Sequence, residues 1–443
     1  MIIFIQRLFP IIIFAIVVGM LPACAKEAAD PAATAPRLPY PARVHYPSDL
    51  SLPDHISPRQ QDLLIIDVYE RWKTNYLSIE TDQETGQKNH RITAGKKKRA
   101  LTFSEGQGYG MMLTAYMAGH DPEAQIIFDG LYRFSRQNPS RNEQRFMAYQ
   151  VPVKDSRRTS AFDGDADIAF ALLLANEQWG SVGALDYLQE ARELIDTLSR
   201  RVVGRDSRLP LLGDWVTQEG KKYNQHSVRS SDIMPGHFKV FQEVTGDPVW
   251  EIVTQRSQTL IDLLQINFSP ESGLVPDFIV RSAEGTPEPA PPRFLESAYD
   301  GSFYYNAARV PWRLAEAALV LDDPTSYIQL QKMAKWILRV SSGDPTKIGP
   351  GFYLDGRRIG NEDYMSMAFI GPFGLAAMTL KDQQRFVNRV FDLCVRVEQD
   401  YYEDTNTLFF IILMSGNYWM PTLKPELLLT DHPRSDMPEL ISD

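Results

Sequence analysis

The sequence predicts an all-α protein with one large domain. Three observations support this prediction: about a dozen apolar runs recur with helical spacing, very few segments alternate between apolar and polar residues, and no linker follows residue 58. The composition, 44% hydrophobic and 23% charged over 443 residues, is typical of a globular protein with a sizeable core. We therefore expect a single domain built from helical hairpins.

The N-terminus has the order of a secretory signal peptide, because Arg7 precedes a continuous apolar stretch that ends just before Cys24. Residues 21–24, LPAC, resemble a bacterial lipobox, so we expect cleavage after residue 23 and lipidation of Cys24. Residues 24–57 then form the lipidated N-terminus and an Ala/Pro-rich tether, 58–430 the domain and 431–443 a tail. We expect an outer-membrane or cell-surface lipoprotein, otherwise a periplasmic or secreted protein, that meets a membrane only through this anchor.

Charge and residue counts exclude several classes of function. A net charge of −10 disfavours nucleic acid as a partner, because a polyanion would be repelled. The only cysteines, Cys24 and Cys394, build no disulfide framework, and the seven histidines lack metal-ligand spacing. We expect no metal, no other cofactor and a monomeric protein.

The helical runs follow one another with Gly- and Pro-rich loops between them. They cover residues 63–72, 109–117, 123–137, 160–175, 185–198, 235–245, 250–266, 307–321, 327–340, 365–380 and 386–397. A basic run at 96–99 is expected to be a solvated turn.

Residues 102–119, TFSEGQGYGMMLTAYMAG, place the single carboxylate of Glu105 just before an amphipathic run. Ser104 is a candidate N-cap, and Gly106 and Gly108 leave bare backbone beside the carboxylate, where a bulky substrate could approach. The alternative is that Glu105 only stabilises the positive end of a helix.

A second acidic segment, residues 160–175, contains Asp163, Asp165 and Asp167 before an apolar helix. An EF-hand is excluded, because counting from Asp163 puts Ile168 and Leu174 where such a loop needs Gly and Glu. Acids at a helix N-terminus account for Asp165 or Asp167, whereas Asp163 is an additional carboxylate that could face the same site as Glu105.

Several motifs in one order resemble glycoside hydrolase family 8. They are SEGQGYGMML with Glu105, AFDGDADIAFALLLANEQW with Asp163, SSDIMPGHF, GLVPDF, FYYNAARVPWR, SMAFIGPFG and MSGNYW, and they span residues 72–419. The resemblance implies an (α/α)6 barrel that hydrolyses β-1,4-linked glycans with inversion and without a metal. Substrates in the family are cellulose, mixed-linkage glucan, xylan and chitosan.

The resemblance assigns Glu105 as general acid and Asp163 as the further carboxylate that holds the distorted sugar. The sequence departs from much of the family at Asn306, where Asp is the usual base, and an amide cannot take a proton from water. In a subgroup that includes the chitosanases, Asn stands here and a Glu on an upstream loop is the base. Glu296 is our choice for that role; Glu284, Glu288 and Asp300 are its competitors.

Aromatic side chains are expected to line a glycan cleft, because sugar C–H faces pack on rings. The candidates are Trp72, Tyr109, Trp179, Trp215, Tyr304, Tyr305, Phe352 and Tyr364. Asn306, Asp232 and Arg309, which lie in matching motifs, are expected to bind or position the substrate.

The sequence thus predicts an inverting endo-glycanase that acts on β-1,4-linked glucan or glucosamine polymers. Two alternatives stay open at this point. The first is a non-catalytic, glycan-binding surface lipoprotein in which Asn306 has abolished hydrolysis. The second is a lyase on a similar barrel, which would cut uronate chains by proton abstraction.

Overall fold

Twelve α-helices make up most of the regular secondary structure in the chain that this computed structural model describes, namely residues 34–46, 50–82, 85–281, 286–360 and 364–422. The helices fall into two sets that alternate along the chain. The outer set is α1 (Pro58–Tyr76), α3 (Ala124–Gln137), α5 (Tyr187–Arg201), α7 (Val249–Asn267), α9 (Pro324–Ser341) and α11 (Gln384–Arg396). The inner set is α2 (Ser104–Tyr116), α4 (Phe162–Trp179), α6 (Pro235–Thr245), α8 (Val310–Ala315), α10 (Met367–Ala377) and α12 (Tyr401–Met414).

The inner helices form a closed ring. Each contacts the next in the order α2, α4, α6, α8, α10 and α12, and α12 contacts α2 in turn. Outer helices α3, α5, α7, α9 and α11 each pack against an inner helix that neighbours them in the chain, whereas α1 packs against α12. The fold is an (α/α)6 barrel in a single domain, which confirms the expected fold class.

Burial explains why the two sets occupy these positions. Every residue of α10 is buried, and so is every residue of α4 except Asn176, as expected for helices that touch protein on all sides. By contrast, α11 buries a single stripe at helical spacing. The stripe consists of Phe386, Val387, Val390, Phe391, Cys394 and Val395.

Helix α12 is absent from the runs predicted by periodicity. Its residues 405–414 are all buried, so the apolar run is continuous and shows no helical period. The predicted run at 307–321 is helical but irregular, since a 3₁₀ turn (Ala307–Arg309) precedes α8 and a π-helical turn (Glu316–Val320) follows it.

Three small antiparallel sheets connect the helices. They pair β1 (Leu77–Thr81) with β2 (Lys88–Ile92), β3 (Thr102–Phe103) with β4 (Gln150–Val151), and β5 (Val228–Arg229) with β6 (Phe278–Arg281), which also pairs with β7 (Pro287–Pro289). Strand β3 leads directly into α2, and β5 leads through a 3₁₀ turn (Ser230–Asp232) towards α6. These strands therefore fix where two inner helices begin.

The prediction of a tether over residues 24–57 is wrong for its C-terminal part. Leu38, Tyr40 and Tyr46 are buried, and the backbone N–H groups of Tyr40 and Val44 donate to Ala118 and Gly416. The apolar residues among the prolines anchor this segment on the barrel. The predicted signal peptide, Cys24 and the tail at 431–443 lie outside the described residues. Within the described part of the chain, no helix has the length and apolar character needed to cross a membrane.

Candidate active site

An open cavity of about 600 Å³ lies where the first turns of α2, α4 and α12 meet the turn that enters α8. This volume is in the range of small-molecule sites, and the helix N-termini give it a positive field that favours anionic side chains. Its lining residues are Ala94, Lys98, Phe103, Ser104, Glu105, Tyr149, Ala161, Asp163, Arg229, Glu296, Tyr305, Asn306, Arg309, Asp400, Tyr401, Tyr402 and Glu403.

Glu105 is the one residue of α2 that is not fully buried, with 19% of its side chain exposed to the cavity. Burial raises the pKa of its carboxyl to about 7, and Asp163 adds to this rise, while Arg309 opposes it. Arg309 Nη1 donates to Glu105 Oε2 over 2.5 Å. Glu105 is therefore a carboxyl group that can hold a proton near neutral pH.

Asp163 has the opposite electrostatic character. Burial disfavours its charge, but Arg229, Arg309 and the hydrogen bond from the Gly164 N–H together lower the pKa of Asp163 below its usual value. Arg309 Nη1 also donates to Asp163 Oδ2 over 3.1 Å. One guanidinium thus joins a carboxyl that is readily protonated to a carboxylate that stays ionised.

Asn306 connects this pair to two further carboxylates. Its Oδ1 accepts a hydrogen bond from Arg309 Nη2 over 3.0 Å, and its Nδ2 donates to Glu296 Oε2 over 2.9 Å and to Asp277 Oδ2 over 3.3 Å. An amide can accept on one side and donate on the other, whereas a carboxylate here would face Asp277 and Glu296 with like charge. These contacts are ones that an amide at position 306 can make and a carboxylate cannot.

Glu296 lies on a loop, with 45% of its side chain exposed. Asp300 orders this loop: its carboxylate accepts the backbone N–H groups of Leu295, Glu296 and Ser297 at 2.6, 3.0 and 2.7 Å. The competitor Asp300 is buried, and its carboxylate is engaged by the backbone of the loop. Of the other competitors, Glu288 is exposed on β7 away from the cavity lining, and Glu284 lies outside the described residues.

Arg229, which follows Val228 in β5, is a second cation at this wall. Its Nη2 donates to Glu296 Oε1 over 3.1 Å, and its Nη1 lies 3.7 Å from Asp232 Oδ2. Asp232 is completely buried, neither of its carboxylate oxygens has a hydrogen-bond partner in the described structure, and burial raises its pKa well above the usual value. Asp232 thus lies behind Arg229 and does not reach the cavity.

Two of the predicted sugar-binding residues, Trp72 and Trp179, are core residues, and this corrects their assignment. The indole of Trp72 stacks near Tyr69 and donates to Thr405 Oγ1, and only 3% of the residue is exposed. Trp179 is the last residue of α4, 16 residues after Asp163, which puts it about 24 Å along the helix from the cavity. Neither ring is accessible to a sugar.

The other predicted aromatic residues are distributed more widely. Tyr305 lines the cavity, and its hydroxyl lies 3.0 Å from that of Tyr364. Tyr109 is buried beneath Arg309, whose Nη1 donates to its hydroxyl over 3.3 Å. Trp215 is half-buried against Tyr223 and is not among the residues that line the cavity.

Phe352 is also buried, in an edge-to-face contact with Trp336. It is therefore a core residue and not the sugar-binding residue that the sequence predicted. Tyr304 is half-buried and donates its backbone N–H to Asp277 Oδ1. Sequence reasoning missed Asp277, which is 2% exposed and whose pKa is raised to about 7 by burial. Its position inside GLVPDF was the signal that could have found it.

Several cavity residues had no signal in the sequence. Lys98 belongs to the basic run expected to be a solvated turn, yet it lines the cavity. Tyr401, Tyr402 and Glu403 come from the unpredicted helix α12. Burial raises the pKa of Glu403, and the buried hydroxyl of Tyr401 has no hydrogen-bond partner in the described structure.

The glycines of the Glu105 motif have a different role from the one expected. A Cβ at Gly106 would lie 2.1 Å from Tyr401 Oη, and one at Gly108 would lie 2.7 Å from Asp167 Cβ. Both glycines therefore allow close packing of α2 against α12 and α4, rather than access for a substrate. Ser104 is the first residue of α2 and not its N-cap, which is Phe103.

The remaining acids of residues 160–175 face away from the cavity. Asp165 accepts the backbone N–H of Met147 over 2.8 Å, and Asp167 binds Arg313 Nη2 through both oxygens, at 2.7 and 2.9 Å, inside the barrel. His237 Nε2 lies 3.0 Å from Asp167 Oδ1. No group of three His, Cys, Asp or Glu in the described ranges is arranged to hold a metal ion.

Known proteins resemble this chain in sequence and in structure. The model of the family described as "Glycosyl hydrolases family 8" matches residues 60–340. A β-glucanase from Niallia circulans is 37% identical over 396 residues, which cover 87% of this chain and 92% of that protein. An endoglucanase from Bacillus sp. (strain KSM-330) is 36% identical over 393 residues, covering 86% and 82%. The apo structure of a β-1,3-1,4-glucanase from Paenibacillus sp. X4 aligns with a TM-score of 0.80 at 37% identity, over 87% of this chain and 100% of that one.

Proposed function

Because the chain belongs to glycosyl hydrolase family 8 and is a glycoside hydrolase, we propose that it cleaves β-1,4 bonds within β-glucan chains, with inversion at the anomeric carbon. The observation that carries this proposal is the hydrogen bond between Asn306 and Glu296. It brings a loop carboxylate to the position where an amide stands in place of the usual base. The same amide is joined through Arg309 to Glu105, so acid and base lie on one connected wall.

Glu105 is the general acid of the proposed reaction. Its pKa of about 7 keeps it protonated in weakly acidic solution, so it can give its proton to the glycosidic oxygen as the bond to the leaving sugar breaks. Burial raises the pKa to this value, although the positive field of the helix N-terminus and the charge of Arg309 both lower it. The leaving chain departs as an alcohol.

Glu296 is the general base. A water molecule on the opposite face of the sugar attacks the anomeric carbon and loses its proton to this carboxylate, which requires about 6.5–9.5 Å between the two carboxyl groups. Asp163 stays ionised because Arg229 and Arg309 lower its pKa, and its negative charge stabilises the oxocarbenium-like transition state. The proton lost by Glu105 is balanced by the proton gained at Glu296.

The names of the three relatives support β-glucan as the substrate class. They are a β-glucanase, an endoglucanase and a β-1,3-1,4-glucanase, each at 36–37% identity over most of its length. An endo-acting enzyme needs a cavity open to solvent so that the chain can extend beyond the cleaved bond, and this cavity is open. Mixed-linkage glucan and soluble cellulose derivatives are the substrates to test first.

Glucosamine polymers are the second candidate, as the chitosanase-like subgroup would imply. Asp400 and Glu403 lie on the cavity wall and are not needed by the acid–base pair. Carboxylates at these positions suit a 2-ammonium group, although Lys98 and the two arginines on the same wall oppose a cationic chain. Reducing-sugar release from chitosan, carboxymethyl cellulose, mixed-linkage glucan and xylan separates the two candidates.

The test of the proposed reaction is Glu296→Ala, with Glu288→Ala as the matched control. We expect Glu296→Ala to lower kcat on mixed-linkage glucan by about 10²–10⁴-fold while binding persists. The control changes an exposed carboxylate eight residues upstream, on β7, and should keep wild-type kcat. Full activity of Glu296→Ala contradicts this assignment of the base, and no hydrolysis by the wild type on any substrate of the panel favours the glycan-binding lipoprotein.

A further inference from the structure

The side chain of Glu296 is poorly restrained, although Asp300 fixes the loop backbone that carries it. Glu296 comes from a loop, and 45% of its side chain is exposed, so its carboxylate could adopt many rotamers. Restricting a glutamate side chain to one rotamer costs conformational entropy. A base in this position needs partners that hold both of its oxygens, and Asn306 holds only Oε2.

Arg229 holds the other oxygen. Its Nη2 donates to Glu296 Oε1 over 3.1 Å. Unlike Glu296, Arg229 is fixed by its surroundings: it pairs with Phe278 across the β5–β6 sheet, its guanidinium lies 5.4 Å from the Phe278 ring centroid, and 12% of its side chain is exposed.

Asp232 restrains the same guanidinium from behind. It lies 3.7 Å from Arg229 Nη1 and has no other ion-pair or hydrogen-bond partner for its side chain among the described residues. Burial disfavours the charge of Asp232, and of the cations near it Arg229 is the one that favours that charge most. The fork of Arg229 therefore bridges a buried acid and a loop acid.

We propose that Arg229, held by Asp232, is the positioning residue that fixes Glu296 as the base; the inference rests on the proposed function. Arg229 binds neither water nor sugar in this role and acts through Glu296. Lysine cannot replace it fully, because a single ammonium cannot contact two carboxylates from opposite sides in the geometry of a planar fork.

Electrostatics support the same role. Burial opposes the charge of Asp163, and Arg229 is the largest of the influences that lower its pKa. Arg309, which also lowers it, approaches from the turn before α8. Asp163 in turn raises the pKa of Glu105 and of Asp232, so Arg229 supports one ionised carboxylate beside two carboxyl groups that burial favours in the protonated form.

The test compares Arg229→Gln and Arg229→Lys with Arg205→Gln, which changes an exposed surface arginine that is 69% accessible. On mixed-linkage glucan, we expect Arg229→Gln to lower kcat on the order of 100-fold with KM within about threefold of wild type, since small misplacements of a catalytic group cost about that much. Arg229→Lys, which keeps the charge beside Asp232, should fold and retain intermediate kcat. Arg205→Gln should match the wild type.

The decisive comparison uses Glu296→Ala as background. If Arg229 acts through Glu296, Arg229→Gln should lower the residual kcat of Glu296→Ala by less than about threefold. An equal loss in both backgrounds, a wild-type kcat in Arg229→Gln, or a raised KM with unchanged kcat would each overturn the inference. These results are distinct from a fully active Glu296→Ala variant, which would contradict the proposed base itself.

Discussion

Replacing Asn306 with aspartate introduces the residue that much of the family uses as base, yet we expect it to damage this enzyme. The amide donates to Glu296 and to Asp277, and aspartate would turn both hydrogen bonds into like-charge contacts. Two unit charges 3.3 Å apart, the distance from Asn306 to Asp277, repel by about 5 kcal/mol at an effective dielectric constant of about 20. The Glu296 side chain is 45% exposed, so solvent screens its share of the repulsion.

The protein can relieve part of this repulsion by binding a proton at Asp277, whose pKa is already raised to about 7 by burial. The proton is available at pH 5 and scarce at pH 8. We therefore expect Asn306→Asp to lower the free energy of unfolding by roughly 3–5 kcal/mol at pH 8 and roughly 1–2 kcal/mol at pH 5. Activity should fall at least about tenfold, because Glu296 loses one of its two donors.

Thermal and urea unfolding at pH 5 and pH 8, together with hydrolysis of mixed-linkage glucan, measure these effects. Asn388→Asp is the matched control, since Asn388 Nδ2 donates to Asp54 Oδ1 over 2.8 Å in a solvent-exposed contact. Its cost should stay below about 1 kcal/mol at either pH. An Asn306→Asp enzyme as stable and as active as the wild type at pH 8 would refute the reasoning.

Three further predictions concern the acid, the packing of its helix and export. Only the protonated form of Glu105 can act as acid, so kcat/KM should fall as pH rises through about 7. Glu105→Gln should be about 100-fold less active and should lose this alkaline fall in kcat/KM. An unchanged alkaline fall in the variant would contradict the assignment. Gly106→Ala places a methyl group 2.1 Å from Tyr401 Oη and should destabilise the fold by about 1–3 kcal/mol in urea unfolding. Gly183→Ala, where nothing lies within 4 Å of the added methyl group, should leave the stability unchanged. Equal stability of the two variants would be inconsistent with the packing. Cys24→Ser should move the enzyme from the membrane fraction to the soluble fraction at unchanged specific activity, and an intact mass without lipid would remove the anchor.

Most of the helices could be predicted from the sequence, because a helix buried on one side repeats its apolar residues at helical spacing. The stripe of α11 is one such case. Where a helix is buried all round, as in α12, the period disappears and the helix was missed. Residues 37–46 were missed for a similar reason, since Pro-rich composition does not reveal that Tyr40 and Tyr46 are anchored in the core. The closed ring was implied only by the resemblance to the family.

The site was predictable where a chemical group stands at the start of a helix. Glu105 and Asp163 are such groups, and both line the cavity. The links between them were not predictable, because Arg309 reaches Glu105 and Asp163 across 204 and 146 residues. Residue type alone was also misleading, because tryptophan is common both in sugar-binding sites and in protein cores. Only the position of Trp179 at the far end of α4 shows that it is a core residue.

The stereochemistry of the product tests the central claim most directly. An acid and a base on opposite faces of the sugar, with water between them, must invert the anomeric carbon, whereas a carboxylate acting as nucleophile would retain it. Proton NMR recorded within the first minutes of hydrolysis of a β-1,4-containing glucan distinguishes the two outcomes before mutarotation. We expect the α-anomer of the new reducing end to appear first and the β-anomer to follow by mutarotation. Initial release of the β-anomer would contradict the roles assigned to Glu105 and Glu296.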